Sequence, residues 1–250
     1  MTKLTAAYKR VLGALVKRLP DSMTSATIEV ALWYIERNAY LRLRDHGFRP
    51  GGIIDVGAYR GDWARSVKSI FDAPLLMIEA RNEMKAYLDG VVSEHRDISY
   101  QIALLGSSER EIDFHVQDTG SSIYAERSNA PRTVVPTSMT TLDSLNLSMR
   151  PPLFIKIDVQ GAELDVLRGA RQTLAKTEVL QLEVPLLAYN EGAPTIEEEI
   201  SFLSDHGFVI YDIAGFIRPK GHLAQMDMLF VRRESKLRPS YFTYDIPRSS

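Results

Sequence analysis

The stretch Ile53-Ile54-Asp55-Val56-Gly57-Ala58-Tyr59-Arg60-Gly61-Asp62-Trp63 decides the fold. A β-branched apolar run ends in an acid, then turns through glycines four residues apart into a helical pattern whose first polar residue, Asp62, is placed to cap it. This reads as a strand, a tight loop and a helix start. The glycines let the backbone approach a ligand, and the free amides of a helix start favour a carboxylate or phosphate. The spacing is not the three-glycine dinucleotide pattern, because Ala58 and Tyr59 fill the places where a further glycine is needed.

Asp55, two residues before the first glycine, suits a ligand that carries an amino group and a carboxylate, as the methionine part of S-adenosylmethionine does. Downstream, residues 75–78 form a continuous apolar strand that ends in Glu79. That acid lies a little over ~20 residues past the loop, where an acid of a nucleotide-binding βαβ unit bonds the ribose hydroxyls. A helix over residues 82–94 and a third strand over 99–105, stopped by Gly106, continue the pattern. Residues 111–116 alternate like a half-exposed strand, and residues 134–139 are placed to return antiparallel to it. The loop between them, residues 117–132, is either a lid or substrate wall or a mobile solvent loop.

Residues 153–158 give a fourth strand, 179–184 a fifth, and 208–213 a sixth, with helices after Gly161 and over 195–205. A seventh strand, 225–231, follows too soon for a crossover helix and should pair antiparallel with its predecessor. Repeated strand–helix–strand units imply a parallel sheet, whose ligands bind at the carboxyl ends of the strands near the point where strand order reverses. Asp158 and Glu183 end the fourth and fifth strands, and Asp227 faces the same edge if the seventh strand inserts beside the fifth. Lys156, inside an apolar strand, is costly unless one of these acids pairs with it.

Toward the amino terminus, Leu4, Tyr8, Val11, Leu12, Leu15 and Leu19 recur at helical spacing among Lys3, Lys9, Arg10, Lys17 and Arg18, and Pro20 ends the segment. Such a basic amphipathic helix either packs on the core or on a second subunit, or lies on an anionic membrane. A second helix over residues 25–44 repeats Ile28, Leu32, Ile35 and Ala39. The tail beyond Glu234 is irregular and suits an arm across a homodimer. The expected organisation is a helical cap over residues 1–50, one main domain over 51–233 with a β/loop insertion over 107–150, and a tail over 234–250.

Hydrophobic and charged fractions of 45% and 25% are those of an ordinary globular protein. A net charge of −2 argues against a general nucleic-acid binder. Without cysteine there is no disulfide, thiolate metal site or cysteine nucleophile. No run has the length of a membrane span, and a cytoplasmic setting is the expectation.

Taken with Ala103-Leu104 and Thr141-Leu142-Asp143, the stretches Asp55 to Gly61, Glu79, Phe154-Ile155-Lys156-Ile157-Asp158-Val159-Gln160-Gly161-Ala162-Glu163 and Val166-Leu167-Arg168-Gly169-Ala170 resemble the FkbM-type S-adenosylmethionine-dependent methyltransferases. The resemblance covers about residues 51–231. It implies an α/β fold, the seven-stranded class I methyltransferase (Rossmann-like) sheet with its last strand antiparallel, and O-methylation of a hydroxyl on a sugar, glycoconjugate or polyketide. It assigns Asp55, Gly57 and Gly61, with Ala58 and Tyr59 between them, to the methionine-binding loop, Glu79 to the ribose and Ala103 to the neighbourhood of the adenine. Asp158 and Glu163 match its acidic motif at the active-site edge.

Methyl transfer to a hydroxyl needs a base, for which Asp158, Glu163, Glu183 and His222 are candidates. Alternatively Asp158, Glu183 and Asp227 hold a hard cation such as magnesium, which lowers the hydroxyl pKa. Tyr124, Arg127, Tyr189 and Asn190, in loops 117–132 and 189–195, are offered to a polar small-molecule or glycan acceptor. Two rival readings remain: a nicotinamide-dependent oxidoreductase, disfavoured by the missing glycine, and a non-catalytic binding module, disfavoured by the joint presence of Asp55, Gly57, Gly61 and Glu79.

Overall fold

The structure is a computed structural model that describes residues 20–239 together with residues 11, 13, 14 and 18. Most of the basic helix expected before Pro20, and the tail from residue 240, lie outside the described residues. Helix α1 (Asp21–Asp45) leads into β1 (Gly52–Val56), and α2 (Asp62–Lys68) into β2 (Leu75–Glu79). A 3-10 turn and α3 (Lys85–Glu94) precede β3 (Ile98–Ile102). The insertion holds β4 (Leu104–Leu105), β5 (Arg110–Val116) and β6 (Thr133–Thr140). Then come β7 (Leu153–Ile157), α4 (Glu163–Arg168), α5 (Arg171–Leu174), β8 (Thr177–Pro185), α6 (Ile196–Asp205), β9 (Phe208–Ile217) and β10 (Gln225–Arg232).

Seven strands form one sheet in the order β3-β2-β1-β7-β8-β10-β9. Strands β3, β2, β1, β7 and β8 are parallel, and β10 inserts antiparallel between β8 and β9. This is the class I methyltransferase arrangement, and it places the reversal of strand order between β1 and β7. Ligands of such sheets bind there.

Both faces of the sheet are covered, so β1, β2 and β7 are buried at every position and read as continuous apolar runs. On one face Phe154 is packed edge-on by Tyr40, Phe48, Trp63 and Phe71 at centroid distances of 5.7, 6.2, 5.6 and 6.0 Å. Each such pair contributes about 0.5–1.5 kcal/mol beyond the area it buries. Ile54, Ile155, Leu164, Leu167 and Leu182 fill the opposite layer.

Three expectations are corrected. The third strand does not run to Leu105: β3 ends at Ile102, and Leu104 and Leu105 pair with Met139 and Thr140 in a separate three-stranded sheet. The apolar run continues because both sheets bury it. Asp62 does not cap its helix; Gly61, in left-handed backbone at φ 78°, is the N-cap, and Asp62 stands in the first turn. The repeat Ile28, Leu32, Ile35, Ala39 is not one buried face, since Ile28 and Ile35 are 47% and 38% exposed while Ala39 is covered.

Candidate functional site

At the β1–β7 reversal a cleft is lined by Gly57, Tyr59, Glu79, Ala80, Ala103 and Asp158, and on its outer side by Asp118, Thr119, Ser121 and Ser122 of the insertion loop. Gly57 is required by packing as well as by backbone conformation. At φ 80°, an added Cβ would stand 1.8 Å from the carbonyl oxygen of Asp158. The missing side chain therefore lets the ends of β1 and β7 close together, whereas a ligand approach alone was the sequence expectation. Gly61 likewise makes room for Val91, 2.6 Å from a Cβ there.

Two acids sit at this loop in different surroundings. Glu79 is buried and accepts backbone N–H bonds from Tyr59 at 2.8 Å and Arg81 at 2.9 Å, one on each oxygen, leaving lone pairs toward the cleft. Asp55 has no exposed surface and, among the described residues, no hydrogen-bond donor on either oxygen; Lys156 Nζ stands 3.9 Å away. Burial pushes Asp55 up to about 7 against the pull of the Lys156 charge. An orphaned carboxylate beneath the loop and a ribose-type acid at its side fit S-adenosylmethionine, whose amino group and ribose hydroxyls are donors.

The carboxyl end of β7 opens the cleft toward the rim. Lys156 Nζ donates to Asp158 Oδ2 at 2.9 Å and lies 5.8 Å from the Trp63 ring centroid. Burial opposes the Lys156 charge, but Asp158 and Asp55 more than restore it and raise its pKa. Asp158 responds in the opposite sense: burial raises it, yet Lys156 and the hydrogen bond from Gln160 hold it below the usual carboxylate range. Gln160 Nε2 spans Asp158 Oδ1 and Glu183 Oε1, each at 3.0 Å. Tyr189 Oη at 3.2 Å and Gln225 Nε2 at 2.6 Å complete the shell of Glu183. Burial, then the charges of Asp158 and Glu163, push Glu183 well above its ordinary value. The rim thus sets a carboxyl held below the usual range beside one pushed above it.

Other candidates fall elsewhere. Glu163 is fully buried, with Oε1 accepting the Val159 N–H at 2.8 Å, so it holds the loop that carries Asp158 and does not reach the cleft. Burial pushes it up to about 8. His222 is exposed on the turn before β10 and does not line the cleft. Asp227 pairs with Glu183 across β8 and β10, half-buried, and burial followed by the Asp158 charge raises it to about 7. The magnesium trio Asp158, Glu183 and Asp227 is corrected: among the described residues no three His, Asp or Glu side chains are grouped to hold a metal. Lys156 and Gln160 donate to Asp158, and Gln160, Tyr189 and Gln225 donate to Glu183.

The two loops expected to meet the acceptor are tied to each other. Arg127 N–H donates to Tyr189 O at 2.7 Å and Glu191 N–H to Ala125 O at 2.8 Å, while Tyr124 Oη donates to Asp165 at 2.7 Å. Tyr59 Oη reaches Asp118 at 2.9 Å and Arg81 Nη1 reaches Gln117 O at 3.1 Å, which holds the insertion loop over the cleft. Asn190 is buried and donates to Gln160 O. Gln160, Gln225 and Arg81 were not singled out from sequence. Only Gln160 carried a signal, by lying between Asp158 and Gly161.

A family model of the methyltransferase FkbM domain matches residues 55–210. No curated protein matches the sequence. Among solved structures, magnesium protoporphyrin IX methyltransferase from Synechocystis PCC 6803, with bound SAM, is similar at TM-score 0.48 and 12% identity over 92% of this chain and 95% of that one. The ribosomal protein L11 methylase of Lactobacillus delbrueckii subsp. bulgaricus reaches TM-score 0.46 and 13% identity over 78% and 77% of the two chains. Aeropyrum pernix fibrillarin reaches 0.43 and 14% over 78% and 76%.

Proposed function

The chain belongs to the FkbM methyltransferase family, matched over residues 55–210, and from that premise we propose that it methylates a hydroxyl of a neutral, sugar-like acceptor. The observation that carries this reading is the continuity of the cleft. One wall holds Gly57, Tyr59, Glu79 and Ala103, and the same cavity reaches Asp158 at the rim. In this reading Asp55 would hold the amino group of S-adenosylmethionine, the 57–61 loop its methionine part, Glu79 its ribose hydroxyls and Ala103 its adenine. When bound, the cofactor supplies a methyl already activated on a sulfonium. The residues of this chain then position the acceptor and receive its proton.

Asp158 is the base in this reading. Lys156 keeps it ionised, so that Asp158 would receive the proton of the acceptor hydroxyl. Glu183, joined to Asp158 through Gln160 and bonded by Tyr189, supports the base from behind the cleft wall. The cleft lining sets Asp118 and Asp158 against Arg81, a balance that suits a polyol better than a phosphorylated acceptor.

Calorimetric titration with S-adenosylmethionine, followed by labelled methyl transfer onto neutral and phosphorylated glycans, tests the reading. Asp55→Ala and Glu79→Gln are expected to weaken cofactor binding. Asp158→Asn is expected to keep binding and to lower kcat by about 10²–10⁴-fold. Activity should survive chelators. Methylation confined to nitrogen acceptors, or full activity of Asp158→Asn, would sink the proposal.

A further inference from the structure

Two arms join Glu79 to the outer wall of the cleft. Its two oxygens accept the backbone N–H groups of Tyr59, at 2.8 Å, and of Arg81, at 2.9 Å. The side chains of these same two donors reach adjacent residues of the insertion loop: Tyr59 Oη donates to Asp118 Oδ1 at 2.9 Å, and Arg81 Nη1 to the Gln117 carbonyl at 3.1 Å. Each residue therefore holds the carboxylate with its backbone and the loop with its side chain.

The arms brace each other. The Arg81 guanidinium lies 5.2 Å from the Tyr59 ring centroid, and that of Arg60 lies 4.9 Å from it, so two cations hold the ring. Arg81 is buried and also donates to Met84 Sδ at 3.3 Å, which fixes the direction of its side chain. Tyr59 stands in left-handed backbone at φ 48°, a conformation that a bulky residue rarely adopts and a glycine reaches freely. Its ring is kept there against that preference, with the hydroxyl on Asp118.

The part of the loop that the arms hold is bonded to itself. Gln117 N–H donates to Ser121 Oγ at 2.9 Å, His115 and Ser122 exchange backbone bonds at 2.8 and 3.1 Å, and Tyr124 N–H donates to Ser122 Oγ at 3.1 Å. Thr119, Ser121 and Ser122 line the cleft. A restraint at residues 117–118 is thus passed to the wall that an acceptor would touch. We infer that Tyr59 and Arg81 are positioning residues that make this wall answer to the occupancy of Glu79: a ribose whose hydroxyls bond the carboxylate restrains both arms and firms residues 115–124 for the acceptor. The inference rests on the assignment of Glu79 to the cofactor ribose. Such coupling is reciprocal, so what the ribose does for the loop, the loop does for the ribose.

Amide hydrogen exchange of the full chain tests this with S-adenosylhomocysteine and its 2′,3′-dideoxy analogue, each at a concentration that calorimetry shows to fill the site. The first ligand is expected to slow exchange over residues 115–124 by about tenfold or more, and the analogue, which lacks the ribose hydroxyls, to leave it nearly unchanged. Tyr59→Phe removes the bond to Asp118 and keeps the ring and the backbone N–H on Glu79. Asp118→Ala removes the same bond from the exposed side of the loop. Both variants, filled with S-adenosylhomocysteine, should lose most of the slowing. Equal slowing by the two ligands, or full slowing in both variants, overturns the inference while cofactor binding stands. No binding of S-adenosylhomocysteine or S-adenosylmethionine by folded wild type overturns the cofactor reading itself, and this inference with it.

Discussion

Asp55, Glu163, Glu199 and Asp227 are withdrawn from water with their carboxyl pKa values raised, chiefly by burial, to about 7, 8, 9 and 7. Each binds its proton in the folded chain at pH values where the unfolded chain has released it. The folded state therefore holds more protons above about pH 4, and stability falls as pH climbs through the raised values. Glu199 is the clearest case, with no exposed surface and, among the described residues, no hydrogen-bond partner on either oxygen. Glu199→Gln is expected to leave the melting temperature near about pH 5 unchanged and to raise it near about pH 9, read by scanning calorimetry. Parallel profiles for the two proteins would show that Glu199 does not carry the effect. Lys156→Met tests the opposite sign at the rim. Asp158 loses the cation that keeps its pKa low, so the acid limb of kcat/KM should move to higher pH, while a purely structural lysine would lower activity without moving the limb.

The strand–loop–helix at residues 52–68 is where element geometry decides the site. Gly57→Ala would force left-handed backbone on alanine and place its Cβ 1.8 Å from the Asp158 carbonyl, so β1 and β7 must separate. Chemical denaturation should show a loss of roughly 1–3 kcal/mol, accompanied by loss of cofactor binding. The insertion loop is a second test, because Tyr124 Oη is its hydrogen bond to α4 through buried Asp165. Tyr124→Phe should raise KM for the acceptor with little change in kcat, since the loop shapes the wall and touches no reacting atom. The strands themselves were legible, since a buried parallel strand writes a short apolar run ended by an acid or a turn. Boundaries failed where the physics was shared: Leu104 and Leu105 are as apolar as β3 because a second sheet buries them. The apolar repeat of α1 likewise does not say which of its sides the sheet covers.

Across the whole molecule, cofactor binding and folding are linked. S-adenosylmethionine at about a hundred times its Kd should stabilise the native state by about 2.7 kcal/mol. For a domain of this size that raises the melting temperature by roughly 5–10 °C. A thermal shift that Glu79→Gln diminishes is expected; no shift with folded wild type would contradict the assignment of the cleft. The sequence by itself determined the parallel αβ plan, the glycine loop, Glu79 and the acid that ends β7, because these depend on residues adjacent in the chain and on strand periodicity. Only the tertiary structure decided which acids work together. Gln160 joins Asp158 to Glu183, Lys156 is shared between Asp55 and Asp158, and Glu163 withdraws beneath the loop it holds. His222 is left in solvent. Those outcomes depend on the register of β7, β8 and β10 and on burial, and burial sets the protonation of a carboxylate only once the surrounding chain has packed.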